Sequence, residues 1–211
     1  MSDRFWPVAV EGDWRGMRIV LRPLRVRADR AEFVRLRSLN ADWTKPWDST
    51  SPTQSGPMSF ARMVRDHDRQ AARGELLPFA VAIDGELAGQ MHLFNIVRGA
   101  LRSAGAGYWI SQRYAGRGVT PFALATVIDY AFDELRLHRV EVNIRPDNTS
   151  SLAVVRKVGL RAEGVRASYL HINGQWEDHR SFAIVTEDLK AGPGAPQSAV
   201  QRLRDQFERT V

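Results

Sequence analysis

Hydrophobic and polar positions change period several times along this chain, and each change marks an element. Residues 18–24, Arg-Ile-Val-Leu-Arg-Pro-Leu, read as a first strand. Ala31, Phe33, Val34, Leu36 and Leu39 then recur at helical spacing, with Asp29 and Glu32 placed as a capping box. Residues 40–57, rich in Pro, Ser, Thr, Asp and Trp, are predicted as loop, and a helix over 58–73 stops at Gly74. Strands follow over 78–83, 87–97 and 106–110, the first two joined by an Asp84-Gly85 hairpin turn. An amphipathic helix over 122–135, an alternating strand over 138–144 and a short helix over 148–158 closed by Gly159 come next. A hairpin of 161–172 and 175–186 turns at Asn173-Gly174. The order β-α-α-β-β-β-α-β-α-β-β predicts an α/β (α+β) fold, with a mixed, mostly antiparallel sheet of about seven strands flanked by about four helices.

The ends read differently. Residues 1–16 are expected to form an irregular leader that Trp6 and Trp14 fold back onto a domain spanning 17–189. In the segment 190–211, a Gly- and Pro-rich linker over 190–198 precedes Val200, Leu203, Phe207 and Val211. Their spacing predicts an amphipathic tail helix that docks on the domain or on a second subunit, so a monomer and a homodimer both remain open.

Composition narrows the chemistry. A length of 211 residues suits one domain with a sizeable core. No apolar run is long enough to span a membrane and no signal peptide is visible, so a cytoplasmic location is the default expectation. The chain has no cysteine, which excludes disulfides, zinc–thiolate sites and a cysteine nucleophile. An acyl-transfer enzyme built this way would pass its acyl group directly between two bound substrates. A formal charge of +6 favours anionic partners such as a nucleotide cofactor or a ribosome, although the scattered arginines equally fit a solvated face. His67, His92 and His171 lack metal-ligand spacing, and no metal is expected.

The segment Tyr114-Ala-Gly-Arg-Gly-Val-Thr-Pro121 sits between a predicted strand and a predicted helix. Gly116 and Gly118 let the backbone turn its N–H groups toward an anion, and the helix that follows adds free N–H donors and the positive end of its dipole. Thr120 is placed to cap that helix, with Pro121 at its first position. A Walker loop needs a lysine that Gly118-Val119-Thr120 lacks. A dinucleotide fold would place its glycines after the first strand of a parallel sheet.

Taken with Arg145-Pro-Asp-Asn148-Thr-Ser-Ser151 and Arg156-Lys157-Val-Gly159-Leu160, the loop resembles the GNAT superfamily of acyl-CoA N-acyltransferases. Lys45-Pro-Trp47-Asp48, Asn95-Ile-Val-Arg98-Gly99, His138-Arg-Val140 and Gly174-Gln-Trp176-Glu-Asp178-His179 are similar to the RimJ-type protein N-terminal acetyltransferases within it. These landmarks cover about residues 18 to 187. The resemblance implies a GNAT fold and acetyl-CoA as co-substrate. Backbone N–H groups of Gly116, Arg117, Gly118, Val119 and Thr120 would hold its pyrophosphate, and Trp109 and Ile110 would pair with the pantetheine arm, with Asn148 bonding that arm. With the superfamily pattern Gln/Arg-x-x-Gly-x-Gly/Ala set in register on Gly118, its first position is Ala115 and its last Thr120. A side-chain phosphate ligand is then missing: Arg113 and Arg117 could supply the charge, Arg113 standing out of register, so the backbone is helped by Arg117 and, for the 3′-phosphate, by Arg156.

Ser151 stands where many relatives place a hydroxyl near the cofactor sulfur, to stabilise or protonate the thiolate; it also reads as a helix-start serine satisfying backbone. Asp48, Glu141, Asp178 and His179 are candidates to relieve the amine of its proton, Glu141 alternatively pairing with Arg139. Leu170 stands where RimL-type relatives often carry a glutamate, so that base does not carry over. Trp47, Asp48, Tyr108 and Asp178 are the expected acceptor-side residues, Asp178-His179 being read mainly as orienting the loop around Trp47. The implied acceptor is a protein N-terminus, of a ribosomal protein beginning with Ser or Ala, with possible association with the ribosome. A small amine such as an antibiotic or polyamine, or a non-catalytic acyl-CoA- or ribosome-binding module, are the alternatives.

Overall fold

The computed structural model describes residues 5–53, 56, 58–190 and 198–209. Eight strands form one sheet in the order β1-β2-β3-β4-β5-β6-β8-β7. They are β1 (Val10–Trp14), β2 (Met17–Pro23), β3 (Leu76–Ile83), β4 (Glu86–Val97), β5 (Ser103–Ile110), β6 (Arg139–Ile144), β7 (Arg161–Ile172) and β8 (Gln175–Val185). Among the described residues six α-helices accompany them: α1 (Arg30–Leu39), α2 (Ala41–Thr44), α3 (Phe60–Ala72), α4 (Val119–Asp133), α5 (Thr149–Val158) and α6 (Ala199–Glu208). This is the mixed, mostly antiparallel α/β fold that the pattern predicts, with β5 and β6 as its parallel pair.

Buried on both faces along its whole length, β3 reads as an unbroken apolar run. Its Leu77, Phe79, Val81 and Ile83 point into the larger core with α4, α5 and α6. Ala80 lies in a second core on the other face, where Phe33 and Leu36 of α1 meet Phe60 and Val64 of α3. The Asp84-Gly85 turn follows the predicted hairpin, since both residues adopt positive φ (51° and 91°), as a tight twisted connection requires.

Several expectations need correction. The leader is not irregular throughout: Val10–Trp14 alternates in exposure and pairs antiparallel with β2, which raises the strand number to eight. Residues 1–4 lie outside the described residues, as do 54, 55, 57, most of the 190–198 linker and Val211. The loop over 40–57 contains the short helix α2. Asp29 makes no side-chain cap on α1. Its carboxylate, 2% exposed, instead binds Arg22 at 2.7 Å and Arg25 at 3.0 Å and accepts the Arg25 N–H at 2.6 Å, and two charged guanidinium donors hold it more strongly than an uncharged helix amide would. Neither is α4 amphipathic: ten consecutive residues, 119–128, include nine that are buried. The reason is α6, which covers the face of α4 that a surface helix would leave in water. Leu203 of α6 is fully buried, and the Asp129 carboxylate of α4 accepts the Ala199 and Val200 N–H groups at 2.6 and 3.0 Å, capping α6.

Candidate active site

Strands β5 and β6 pair only from Ser103 to Gly105, opposite Arg139 to Glu141. Beyond that they part, while β5 stays bonded to β4 as far as Ile110. The Ser111 N–H donates to Ala88 at 2.7 Å, on the β4 side. Because backbone groups alternate along a strand, the N–H and C=O of Ile110 and Tyr108 face the opening instead. A cavity of about 470 Å³ fills that opening, bounded by the end of β5, the glycine loop and the first turns of α4 and α5.

At one end stands the loop. Gly116 and Gly118 have φ of 77° and 80°, and Gly118, in place of Thr120, is the N-cap of α4. Pro121 accordingly sits at the third helical position. The first bond of this helix runs from the Phe122 N–H to the Gly118 carbonyl at 3.1 Å, so Val119 and Thr120 offer N–H groups with no partner inside the helix. Glycine is required at 118 for a second reason: a Cβ there would lie 2.6 Å from Trp14 Nε1, which itself donates to the Arg117 carbonyl at 3.2 Å. A helix that starts at Val119 also corrects the register of the superfamily pattern. Counted on Gly116, the run Arg113-Tyr-Ala-Gly116-Arg-Gly118 satisfies it in full, and neither Ala115 nor Thr120 is a departure. The Arg113 guanidinium is held by Glu86 at 2.5 Å and lies over the Tyr114 ring.

At the other end, Ser151 Oγ donates to the Tyr108 hydroxyl at 2.8 Å. Burial pushes the Tyr108 phenol up, against a smaller opposing effect of the Ser151 bond, so it stays protonated far above neutral pH. Asn148 caps α5 by accepting the Ser151 N–H at 3.0 Å, which fixes the turn carrying that serine. Trp109 and Ile110 line the cavity between the two ends, and Trp43 of α2 donates its indole N–H to the Ile110 carbonyl at 3.1 Å. Behind Trp109, its Nε1 donates to Gln90 Oε1 at 3.0 Å, so the Gln90 amide donates to His92 Nε2 at 3.1 Å. Burial and the nearby His67 ring push His92 down to about 3, which keeps it a neutral acceptor.

Trp47 and Asp48 line the cavity together with Asp42. Arg37 pairs with Asp48 and stacks over Trp109, 4.9 Å from the ring centroid. The other expected residues fall elsewhere. Glu141 is bound by Arg139 at 2.7 Å and Arg166 at 2.8 Å, outside the cavity, where two guanidinium partners hold it as an ion pair. Asp178 accepts the Ser168 N–H at 2.8 Å and does not reach the cavity. The segment carrying Trp47 is tied down by other groups: Arg145 bonds the Pro46 carbonyl at 3.3 Å and lies over the Trp47 ring, and Asn173 bonds Lys45 at 3.1 Å. Arg156 is exposed and turned away, because on α5 the face shared with Ser150, Ser151 and Val154 continues to Lys157. Lys157, Trp43 and Asp42 are cavity residues that sequence reasoning missed; helical spacing from Ser150 and Val154 was a signal for Lys157.

A parted parallel pair opening onto a glycine loop and a helix N-terminus defines an acyltransferase site of the N-acyltransferase type. The family profile described as "Acetyltransferase (GNAT) domain" matches residues 18–161, and the chain belongs to this GNAT acetyltransferase family. A solved structure of Mycobacterium smegmatis RimJ, in complex with CoA-disulfide, is 36% identical, covers 96% of each chain and superposes with a TM-score of 0.86. The Bacillus subtilis protein named "Probable N-acetyltransferase YjcK" is 34% identical over 82% of this chain and 97% of its own length. The Escherichia coli [ribosomal protein uS5]-alanine N-acetyltransferase is 30% identical over 72% of this chain and 80% of its own length. The chain is thus an acetyltransferase of the RimJ-type ribosomal-protein acetyltransferase group.

Proposed function

We propose that this protein transfers acetyl from acetyl-CoA to the N-terminal α-amino group of a protein, with a ribosomal protein beginning with Ser or Ala as acceptor. The observation that carries the reading is the unpaired edge of Tyr108 and Ile110, running from the glycine loop to the Ser151–Tyr108 hydroxyl pair within one cavity. The donor set fits such a cofactor: backbone N–H groups and a helix end suit the pyrophosphate, and a strand edge suits the pantetheine amides.

The thioester supplies an activated acetyl group, and the protein supplies its surroundings. Backbone N–H groups on the free edge of β5 stabilise negative charge developing on the carbonyl oxygen. The Ser151–Tyr108 pair holds protons next to the position of the departing thiolate, and the raised phenol remains a donor throughout the working range. With no cysteine on the chain, no thioester forms on the protein, and the amine attacks directly. A protein α-amino group, with a pKa near about 8, is about one-tenth neutral at pH 7, so a weak base suffices. Asp42, and Asp48 in its pair with Arg37, line the acceptor side; the Asp42 carboxylate draws the cationic terminus inward, and its proton leaves to these carboxylates directly or through water. A lysine side chain, near about 10.4, would need a much stronger base.

The test is acetylation of a Ser- or Ala-starting peptide, followed by CoA release, against the same peptide with a blocked α-amino group and an internal lysine. Transfer to the free terminus only is the expected result. Transfer to lysine, to spermidine alone, or to nothing would overturn the acceptor assignment.

A further inference from the structure

A single side chain of α6 touches both the residue that backs the glycine loop and a residue of the cavity wall on α5. Phe207 of α6 meets Trp14 edge-on, with ring centroids 5.0 Å apart at 87°. Trp14 in turn lies directly beneath Gly118 and bonds the Arg117 carbonyl. Over the same Phe207 ring sits the ammonium of Lys157, 5.5 Å from the centroid. Lys157 lines the same cavity as Gly116 and Gly118, and among the described residues no carboxylate is seen to pair with it. The helix is fixed independently of this contact: Asp129 caps its start, Leu203 is buried, and Arg204 bonds the Asp13 carbonyl at 2.8 Å. Neither Trp14 nor Phe207 falls within the residues 18–161 that define the family match.

We propose that Phe207 is a positioning residue of the cofactor site: it holds the Lys157 ammonium over the cavity as a phosphate ligand and backs the Trp14 ring that sets the glycine loop. This rests on the acetyl-CoA reading above. A phosphate-bearing cofactor then meets backbone N–H groups from one wall and a cation from the facing helix. Lys157 can provide that cation without breaking an existing ion pair. The quadrupole of an aromatic face restricts a flexible lysine to one region of space while leaving its three donors free for the ligand. The tail helix is therefore part of the cofactor site and not only a cover for the core.

The experiment uses the full chain with Lys157→Ala, Phe207→Leu, Phe207→Tyr and the Lys157→Ala/Phe207→Leu pair, measuring acetyl-CoA affinity by calorimetry and kcat and KM separately. Lys157→Ala is expected to weaken acetyl-CoA binding roughly 10-fold or more, as for loss of a charged hydrogen bond. Phe207→Leu should weaken it about 2- to 5-fold, the scale of an exposed cation–π contact, with kcat unchanged. Phe207→Tyr should restore wild-type affinity, and the pair should bind no more weakly than Lys157→Ala beyond what the Trp14 contact adds. An unchanged affinity in Lys157→Ala overturns the proposal, even if Phe207→Leu fails to fold. So does a Phe207→Leu defect that appears in kcat and not in KM. If the wild-type chain itself does not bind acetyl-CoA, the acetyl-CoA reading fails first; if wild type binds and both variants bind equally well, only this proposal fails.

Discussion

Two glycines with the same backbone conformation occupy different surroundings in the glycine loop, and substituting each in turn separates backbone strain from packing. Gly116 (φ 77°) has no neighbour within 4 Å of a Cβ position, whereas at Gly118 (φ 80°) that position lies 2.6 Å from Trp14 Nε1 and 3.1 Å from two of its ring carbons. Gly116→Ala should cost only the left-handed backbone penalty, about 1–2 kcal/mol. Gly118→Ala carries the same penalty and must also displace Trp14. That breaks its bond to Arg117, worth about 1 kcal/mol, and disturbs its ring contacts with Phe122 and Phe207, each worth about 0.5–1.5 kcal/mol. The expected loss is roughly 3–6 kcal/mol in all, large against a typical total of about 5–15 kcal/mol. Urea unfolding at constant m-value measures both losses, and acetyl-CoA titration of the folded variants should show the greater weakening for Gly118→Ala. Equal stability losses for the two variants would refute the claim that Trp14 packing, beyond the turn itself, requires glycine at 118.

Removing the hydroxyl pair should act on the chemical step: Ser151→Ala and Tyr108→Phe are each expected to lower kcat about 10-fold or more with little change in acetyl-CoA affinity, and unchanged kinetics in both would return the pair to a structural role. The His92 imidazole provides a pH signature. Its folded pKa of about 3 lies below the unfolded value, so its contribution is present above about 6.5 and is lost as pH falls toward 3. Stability should decline below pH 6.5 by up to about 1.4 kcal/mol per pH unit from this group. His92→Gln should flatten that decline, and a profile unchanged by the substitution would show that His92 is not responsible.

Much of this molecule was legible in its sequence because its elements are locally specified. Strands β2 to β8 and helices α1, α3, α4 and α5 follow hydrophobic period and Gly or Asn punctuation, and the glycine loop announces itself by conformations that only glycine adopts easily. Contacts between distant segments were not legible. Asp29 looks like a helix cap until β2 brings Arg22 beside it. Glu141 looks like a candidate base until β7 brings up Arg166, and α4 looks amphipathic until α6 closes over it. Lys157 and Arg156 are neighbours in sequence with equal charge, and only the rotation of α5 against the cavity selects one of them. The sequence by itself determined most of the elements, the glycine loop and the lack of a thiol, since local sterics and residue chemistry are properties of short segments. The parting of β5 from β6, the pairing of each charge and the meeting of β1 and α6 beneath the glycine loop were decided by tertiary structure, because each depends on which distant surfaces are buried against one another.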